Sequence, residues 1–417
     1  MIDNIMQRAE LLIQQKRYPE AEELLRGLLS THPQNIHVLT LLSEVNLRQD
    51  NLEEAESLVK NAIALSPDYP HLFYIYARIK VQKDQYDKAE EYIRHALEMD
   101  PEDAGYFSFW ASIKLTRKNY AEALELANKA LELEPENILG LNTRSTALLK
   151  LDKKEESYRT IEGALREDPN NAYTHSNYGW NLLEKGDHKK ALMHFREALK
   201  NDPGLDYAKA GMGEALKASN FFYRMFLKYA FWIGNLTAKY QWAVIIGFYV
   251  AYRIINAVAD SNETLRPFLF PVIILMSAIA FSTWVIKPIS NLFLRINPYG
   301  KYLLSKREMQ SSNFVGISFI IFLAGVALYF IMSNDNFLAV AVFGFAMMVP
   351  YSVMFSPTKY KNSLVIYSAA MTVIGVIAIL LTFKSGVLIN DISSLFFIGF
   401  IAFQWIANFL MIRESNV

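Results

Sequence analysis

Six prolines recur along this chain at a fixed interval of 34 residues. They are Pro33, Pro67, Pro101, Pro135, Pro169 and Pro203. The residues before them also recur, as HALEMDP, KALELEP and GALREDP at the same spacing. A period of this length is typical of stacked units, each of which buries its apolar face against its neighbours. The first half of the chain is therefore predicted to be a repeat array.

Each unit contains two predicted helices, because apolar residues recur at steps of three and four. Small residues stand twelve or five positions before most prolines, where they let two helices approach closely: Ala21, Ala55, Ala89, Ala123 and Ala191, and Ala62, Ala96, Ala130, Ala164 and Ala198. A proline cannot continue a helix interior, so each proline is predicted to separate two units. The Asp or Asn that often follows is predicted to cap the next helix.

This pattern resembles the tetratricopeptide repeat (TPR) family over residues 1–217. The close-packing pair of the family is matched by Tyr76-Ala77, Trp110-Ala111 and Tyr178-Gly179. Departures are Arg8-Ala9, Arg144-Ser145 and Ser157, so repeats one and five are expected to be looser. The resemblance implies an α-solenoid of six repeats plus a capping helix, and a scaffold that binds a protein or peptide partner.

The charges are divided unevenly, although Lys+Arg and Asp+Glu both total 42. Residues 1–217 hold 28 basic and 36 acidic residues, so the two halves have opposite net charge. An acidic repeat half is not expected to bind nucleic acid, whose phosphates favour basic surfaces. The absence of cysteine excludes disulfides, thiolate nucleophiles and cysteine-based metal sites.

Six long apolar segments follow from Trp242 onward: 242–258, 267–286, 314–332, 337–355, 363–383 and 392–412. Each is close to the roughly 20 residues that cross a bilayer. The last five contain no charged residue and no histidine. We therefore predict an all-α protein in which a polytopic membrane domain of about six spans follows the repeats. The predicted domains are 1–217, a linker at 218–240, and 241–417.

Basic residues between the predicted spans indicate the orientation, because positive loops stay cytoplasmic. They are Lys287, Arg295, Lys301, Lys306, Arg307, Lys359 and Lys361, with Arg413 after the sixth span, whereas the loop after the third span contains none and only Lys384 follows the fifth. Both termini are thus predicted to be cytoplasmic. The chain begins with a repeat helix rather than a signal-like segment, and a bacterial inner membrane is the expected location.

The linker contains bulky apolar residues and two cations: Phe221, Phe222, Phe226, Tyr229 and Trp232, with Arg224 and Lys228. One interpretation is a helix that lies in the membrane interface. The other is a final helix that caps the open end of the repeats.

Few polar residues occur within the predicted spans, where they often mark function. Arg253 is expected to extend to the interface, and Gln404 and Asn408 share one helix face and are expected to bond between spans. No catalytic motif is found, so the protein is predicted to be non-enzymatic, with neither cofactor nor metal.

The repeat register predicts which side chains line a groove for a partner: Tyr74, Arg78, Phe109, Asn142, Tyr173, Asn177 and Trp180. Rings and amides of this kind suit peptide binding. The leading hypothesis is a membrane-anchored adaptor that recruits a protein or peptide on the cytoplasmic side. Its spans would anchor it in the lipid bilayer or bind another membrane subunit. The alternative is a transporter or channel-like bundle regulated through a partner on the repeats.

Overall fold

The structure is a computed structural model that describes residues 2–296, 300–356 and 362–414. Within these ranges the secondary structure is helical and contains no β-strand. The chain divides into two compact units, one up to Pro169 and the other from Asn170 onward. The predicted all-α class is confirmed. The three domain limits given above remain a prediction.

The first unit contains five helix pairs, in each of which a helix of 13 residues precedes one of 14. The helices are α1 (Ile2–Gln14), α2 (Tyr18–Thr31), α3 (Ile36–Arg48), α4 (Leu52–Leu65), α5 (Pro70–Gln82), α6 (Tyr86–Met99), α7 (Ala104–Thr116), α8 (Tyr120–Leu133), α9 (Ile138–Lys150) and α10 (Lys154–Glu167). The pairs match the predicted period.

The turns between these pairs contain the repeated prolines. Asn35, Asp103 and Asn137 stand two residues after a proline and cap the next helix. Their side-chain oxygens accept a backbone N–H at 3.1, 2.9 and 2.8 Å. Such a cap typically contributes about 1 kcal/mol. Tyr69 makes no such bond at the equivalent position, and Pro70 begins that helix instead.

The small residues of the repeats lie between helices, as the spacing predicted. All ten alanines named above are 0% exposed. The fifth pair has Ser157 in place of an alanine, and this serine is also fully buried. Its hydroxyl donates to the Ser145 carbonyl at 2.7 Å, and the Ser145 hydroxyl donates to the Ser157 carbonyl at 3.1 Å. Two departures from the TPR pattern therefore satisfy each other's polar groups.

The second unit begins with a sixth helix pair and two further helices. These are α11 (Ala172–Lys185), α12 (His188–Asn201), α13 (Asp206–Lys217) and α14 (Phe221–Gly234). The fully buried ring of Phe195 lies where Gly179 of α11 and Gly211 of α13 come close. A Cβ atom on either glycine would stand within 2.7 and 2.2 Å of that ring. Glycine at both sites thus allows α13 to cap the last pair.

Among the residues that the structure describes, six helices in the rest of this unit are long and apolar enough to cross a membrane. They are α15 (Ala238–Ser261), α16 (Arg266–Leu294), α17 (Lys306–Met332), α18 (Asn336–Val353), α19 (Ser363–Ser385) and α20 (Asp391–Glu414). A 3-10 helix at Gly300–Leu303 precedes α17. Lys359 and Lys361, used above for orientation, lie outside the described residues, as does the side chain of Arg413.

These apolar helices pack through small residues and polar bonds. Gly344 of α18 approaches α17 so closely that a Cβ atom would stand 2.4 Å from the Phe322 backbone nitrogen. The buried Ser318 hydroxyl of α17 donates to the Gly344 carbonyl at 2.8 Å. Between α19 and α20, the Tyr367 hydroxyl donates to the Gly399 carbonyl at 2.9 Å. Close backbones with interhelical hydrogen bonds are typical of membrane bundles.

Candidate functional site

Three residues of the predicted groove form one cluster in the first unit. The Tyr74 ring on α5 meets the Phe109 ring on α7 edge to face, with centroids 5.2 Å apart. The Arg78 guanidinium lies 5.4 Å from the centroid of the Tyr74 ring. It also pairs with Glu44 on α3 at 3.0 Å. These contacts within the protein hold the side chains of Tyr74 and Arg78 in place without a bound peptide or protein.

The Glu44–Arg78 pair joins two helices at equivalent positions of successive repeats. Glu44 also lies 3.8 Å from His71. Burial is the main cause that lowers the pKa of His71, and the nearby Glu44 carboxylate opposes that effect. This part of the predicted groove is therefore occupied by a cluster of aromatic rings and paired charges.

The two predicted amides are placed differently from the rings. Asn142 is only 2% exposed, and its amide donates to the Ile138 carbonyl within α9 at 2.9 Å. Asn177 on α11 is also buried. Both side chains therefore contribute to packing within their helix pairs. The repeat register identifies a helix face but does not determine how far a short side chain extends.

The second unit presents an aromatic surface on α11 and α13. Tyr173 and Tyr207 are 48% and 40% exposed, and their rings stack with centroids 5.9 Å apart. Trp180 stacks on Tyr207 at 5.7 Å, and its indole N–H donates to the Tyr207 carbonyl at 3.2 Å. We call these three residues the aromatic stack. Tyr207 was not among the predicted groove residues, although it lies 34 residues after Tyr173.

Two histidines of the sixth pair lie in contact, although their spacing in the sequence does not predict it. The Nδ1 atoms of His175 on α11 and His194 on α12 are 3.0 Å apart. Burial, reinforced by the neighbouring His175, lowers the pKa of His194 to about 4. The described residues contain no group of three or more histidine, cysteine, aspartate or glutamate side chains that could hold a metal ion.

A buried polar cluster joins α13, α14 and α16. The Lys217 ammonium donates to the Glu214 carboxylate at 2.7 Å and to Asn291 Oδ1 of α16 at 3.2 Å. The Tyr223 hydroxyl of α14 donates to Glu214 at 2.6 Å. Asn291, Lys217 and Tyr223 are 4%, 7% and 1% exposed. We call these four residues the polar joint.

Charge and hydrogen bonds keep the Glu214 carboxyl of the polar joint ionised. Burial alone would raise the pKa of Glu214, but the charges of Lys217 and Lys287 and two hydrogen bonds hold it below its usual value. Burial and the Glu214 charge raise the pKa of Tyr223. The phenol therefore stays protonated and donates to the carboxylate. The sequence gives no signal for this cluster, because Asn291 is 74 residues from Lys217.

The polar positions predicted in the spans do not converge on one site. Arg253 is exposed on the surface of α15, whereas Gln404 and Asn408 are half-buried on α20. The structure thus separates the arginine from the interior of the helix bundle.

Comparisons with known proteins agree with the helix pairs. Residues 46–113 match one tetratricopeptide repeat model, and residues 6–70 and 142–206 match another. The N-terminal region consists of TPR repeats. No curated protein sequence matches the chain.

Solved structures similar to the chain include a tetratricopeptide repeat protein from Parabacteroides merdae, with a TM-score of 0.46 and 18% identity. That similarity covers 51% of this chain and 83% of the other. Another is pilF of Pseudomonas aeruginosa, with a TM-score of 0.40, 17% identity and coverage of 50% and 94%. The TPR assignment depends on the family models and the helix pairs rather than on these structures.

Proposed function

We propose that this protein is a membrane-anchored adaptor. Its TPR repeats bind a protein or peptide partner on the cytoplasmic side, and its six apolar helices span the bilayer. TPR repeats are a scaffold for protein interactions, and α15 to α20 have the length and composition of spans. A non-enzymatic role fits this combination.

The aromatic stack is the observation that carries the binding proposal. Aromatic rings provide large contact area at low entropic cost and are enriched at binding hot spots. Tyr173 and Tyr207 expose nearly half of their surface while their neighbours hold them in place. The stack therefore offers a preformed surface for an extended peptide or an apolar helix. The Tyr74, Arg78 and Phe109 cluster is a second contact region in the other unit.

The polar joint supports the proposed orientation. It places α13 beside the C-terminal end of α16, and Gly213 of α13 also lies near Leu303. That end of α16 is followed by the basic segment that contains Lys301, Lys306 and Arg307. Positive segments remain in the cytoplasm, so the last repeat and this segment share the cytoplasmic side.

Site-specific photo-crosslinking of the full chain in its native membrane tests the proposal. A Tyr173→p-benzoylphenylalanine variant should crosslink to a distinct protein, because the stack contacts the partner. The matched control is the same replacement at Met193, which is 64% exposed on α12 of the same helix pair. Adding Trp180→Ala to the Tyr173 variant should remove the crosslinked product.

Equal products from both positions, or none from Tyr173, would contradict an adaptor that uses this surface. The transporter alternative makes a different prediction: solute uptake into proteoliposomes would depend on Gln404 and Asn408. An adaptor loses only some stability when these side chains are replaced.

A further inference from the structure

The helix α14 has three distinct sides. At 3.6 residues per turn, its bulky exposed residues fall within an arc of about 100°. They are Phe221, Phe222, Met225, Tyr229 and Trp232, which are 58%, 73%, 57%, 40% and 52% exposed. We call this arc the aromatic face. It contains no charged residue.

A second side of α14 is buried and fixes the helix in place. Tyr223 and Leu227 lie one turn apart and are 1% and 6% exposed. Tyr223 belongs to the polar joint, and the Lys217 ammonium lies 5.1 Å from the centre of its ring. Rotation of α14 would break the Tyr223–Glu214 hydrogen bond, so the buried side determines where the aromatic face points.

The third side is polar and faces the last TPR repeat. Arg224 lies 3.5 Å from His188, and the Asn235 amide donates to Glu184 at 2.8 Å. The Lys228 side chain lies beside Gly186. Both cations of the helix are thus on the repeat side. The capping interpretation of this segment accounts for these contacts but leaves the aromatic face uncovered.

The position of the polar joint along α16 indicates how deep α14 would lie relative to the hydrocarbon core of the bilayer. With 29 residues, α16 is about 43 Å long, whereas the hydrocarbon core of a bilayer is about 30 Å thick. Its uninterrupted apolar segment ends before Lys287, and Asn291 follows one turn later. Since Asn291 bonds to Lys217, which in turn covers Tyr223, α14 starts at the level where α16 leaves the hydrocarbon.

We propose that α14 lies in the interfacial zone of the bilayer, with its aromatic face in contact with lipid. Tryptophan and tyrosine favour this zone, and an amphipathic helix lies there with its apolar side towards the acyl chains. At 14 residues the helix is too short to span. This inference rests on the proposed membrane insertion. It means that lipid holds the last repeat, and with it the aromatic stack, next to the membrane surface.

Spin labels on single cysteines can measure this depth, because the natural chain contains no cysteine. Met225→Cys places a label near the middle of the aromatic face. Ile320→Cys on α17, 65% exposed, is the reference for a span, and Met193→Cys on α12 is the reference for water. The full chain is placed in vesicles of phosphatidylcholine and phosphatidylglycerol. Power saturation with oxygen and with a nickel chelate then reports whether lipid or water surrounds each label.

The Met225 label should be accessible to oxygen, protected from nickel at least several-fold relative to Met193, and shallower than Ile320. Nickel access equal to that of Met193 would overturn the inference and leave the spans intact. Protection from both reagents would also overturn it, because a second protein would then cover the face. A water-exposed Ile320 label would instead contradict the membrane insertion on which the proposed function depends.

Discussion

The TPR pairs and the apolar helices distribute their side chains in opposite ways. In the repeats, large apolar residues such as Ile93 are fully buried, and charged residues such as Lys83 and Glu53 pair near the surface. In α17 the polar side chain of Ser318 is buried alongside Val315, whereas Ile320 is 65% exposed. Apolar contacts pack both regions, but the apolar bundle also turns large apolar side chains outward and joins its helices by hydrogen bonds between buried groups. The surface of the repeats therefore suits water, and the surface of the apolar helices suits lipid; we call this the two-solvent account.

The polar joint buries charged groups outside the predicted spans, as Lys80 does within the repeats. Glu214→Leu should cause the largest loss, since it leaves the Lys217 ammonium buried without its carboxylate. Removal of one partner of a buried ion pair typically costs about 3–5 kcal/mol. Hydrogen exchange of the α13 and α14 amides in nanodiscs would show the loss as faster exchange.

The double variant Glu214→Leu with Lys217→Met is the control for this test. Apolar replacement of both partners is often neutral, so protection should largely return. Equal exchange in the single and the double variant would show that the unpaired Lys217 charge is not what destabilises the polar joint.

Truncation of one isoleucine in each region tests the comparison itself. Ile93→Ala on α6 should destabilise the TPR repeats by about 2–5 kcal/mol, because it leaves a cavity. Ile320→Ala on α17 removes a side chain that faces outward and should change the bundle by much less. Hydrogen exchange measured during thermal unfolding, separately for the two regions, would give the stability loss caused by each variant. Similar losses would mean that α17 is packed like a repeat helix.

The sequence predicted the regular parts of both regions. The proline period located all six pairs, and the alanine positions predicted their buried contacts. The apolar segments located α15 to α20. Periodicity identifies a helix face, but it does not show that Asn142 lies inward or that Tyr207 joins the stack.

Contacts between distant parts of the chain could not be predicted either. The bond of Lys217 to Asn291, and the meeting of His175 with His194, depend on tertiary placement that leaves no periodic signal. The linker presented two interpretations, and the buried and polar sides of α14 are those of a capping helix. Its uncovered aromatic face is what the interfacial proposal explains.

Lowering the pH should reduce the folding stability of the sixth TPR pair, because burial favours the neutral form of His194. The pKa of this histidine falls from its ordinary value of 6.5 to about 4 in the folded protein. Between these pH values the unfolded chain binds a proton that the folded chain does not, so stability falls as the pH drops from 6.5 to 4. His194→Gln should flatten the pH dependence of hydrogen exchange in α11 and α12. An unchanged pH slope would exclude this histidine as the cause.

Replacement of two serines should have the smallest effect on the stability of the bundle. Ser318→Ala removes a bond between α17 and α18 and should cost about 0.6 kcal/mol, an average value for interhelical bonds in membranes. Ser277→Ala is the matched control, because its hydroxyl bonds to the Ile273 carbonyl of its own helix. Only the first variant should speed exchange in both α17 and α18. Equal effects would indicate that side-chain bonds do not hold this helix pair.

Labelling of single cysteines from each side of sealed membranes tests the two-solvent account most directly. Met193→Cys in the last TPR pair and Lys301→Cys before α17 should react with a membrane-impermeant maleimide only in inside-out vesicles. Asn334→Cys between α17 and α18 should react only in right-side-out vesicles. The account is contradicted if Met193→Cys is labelled from the outer side, or if all three sites react from one side.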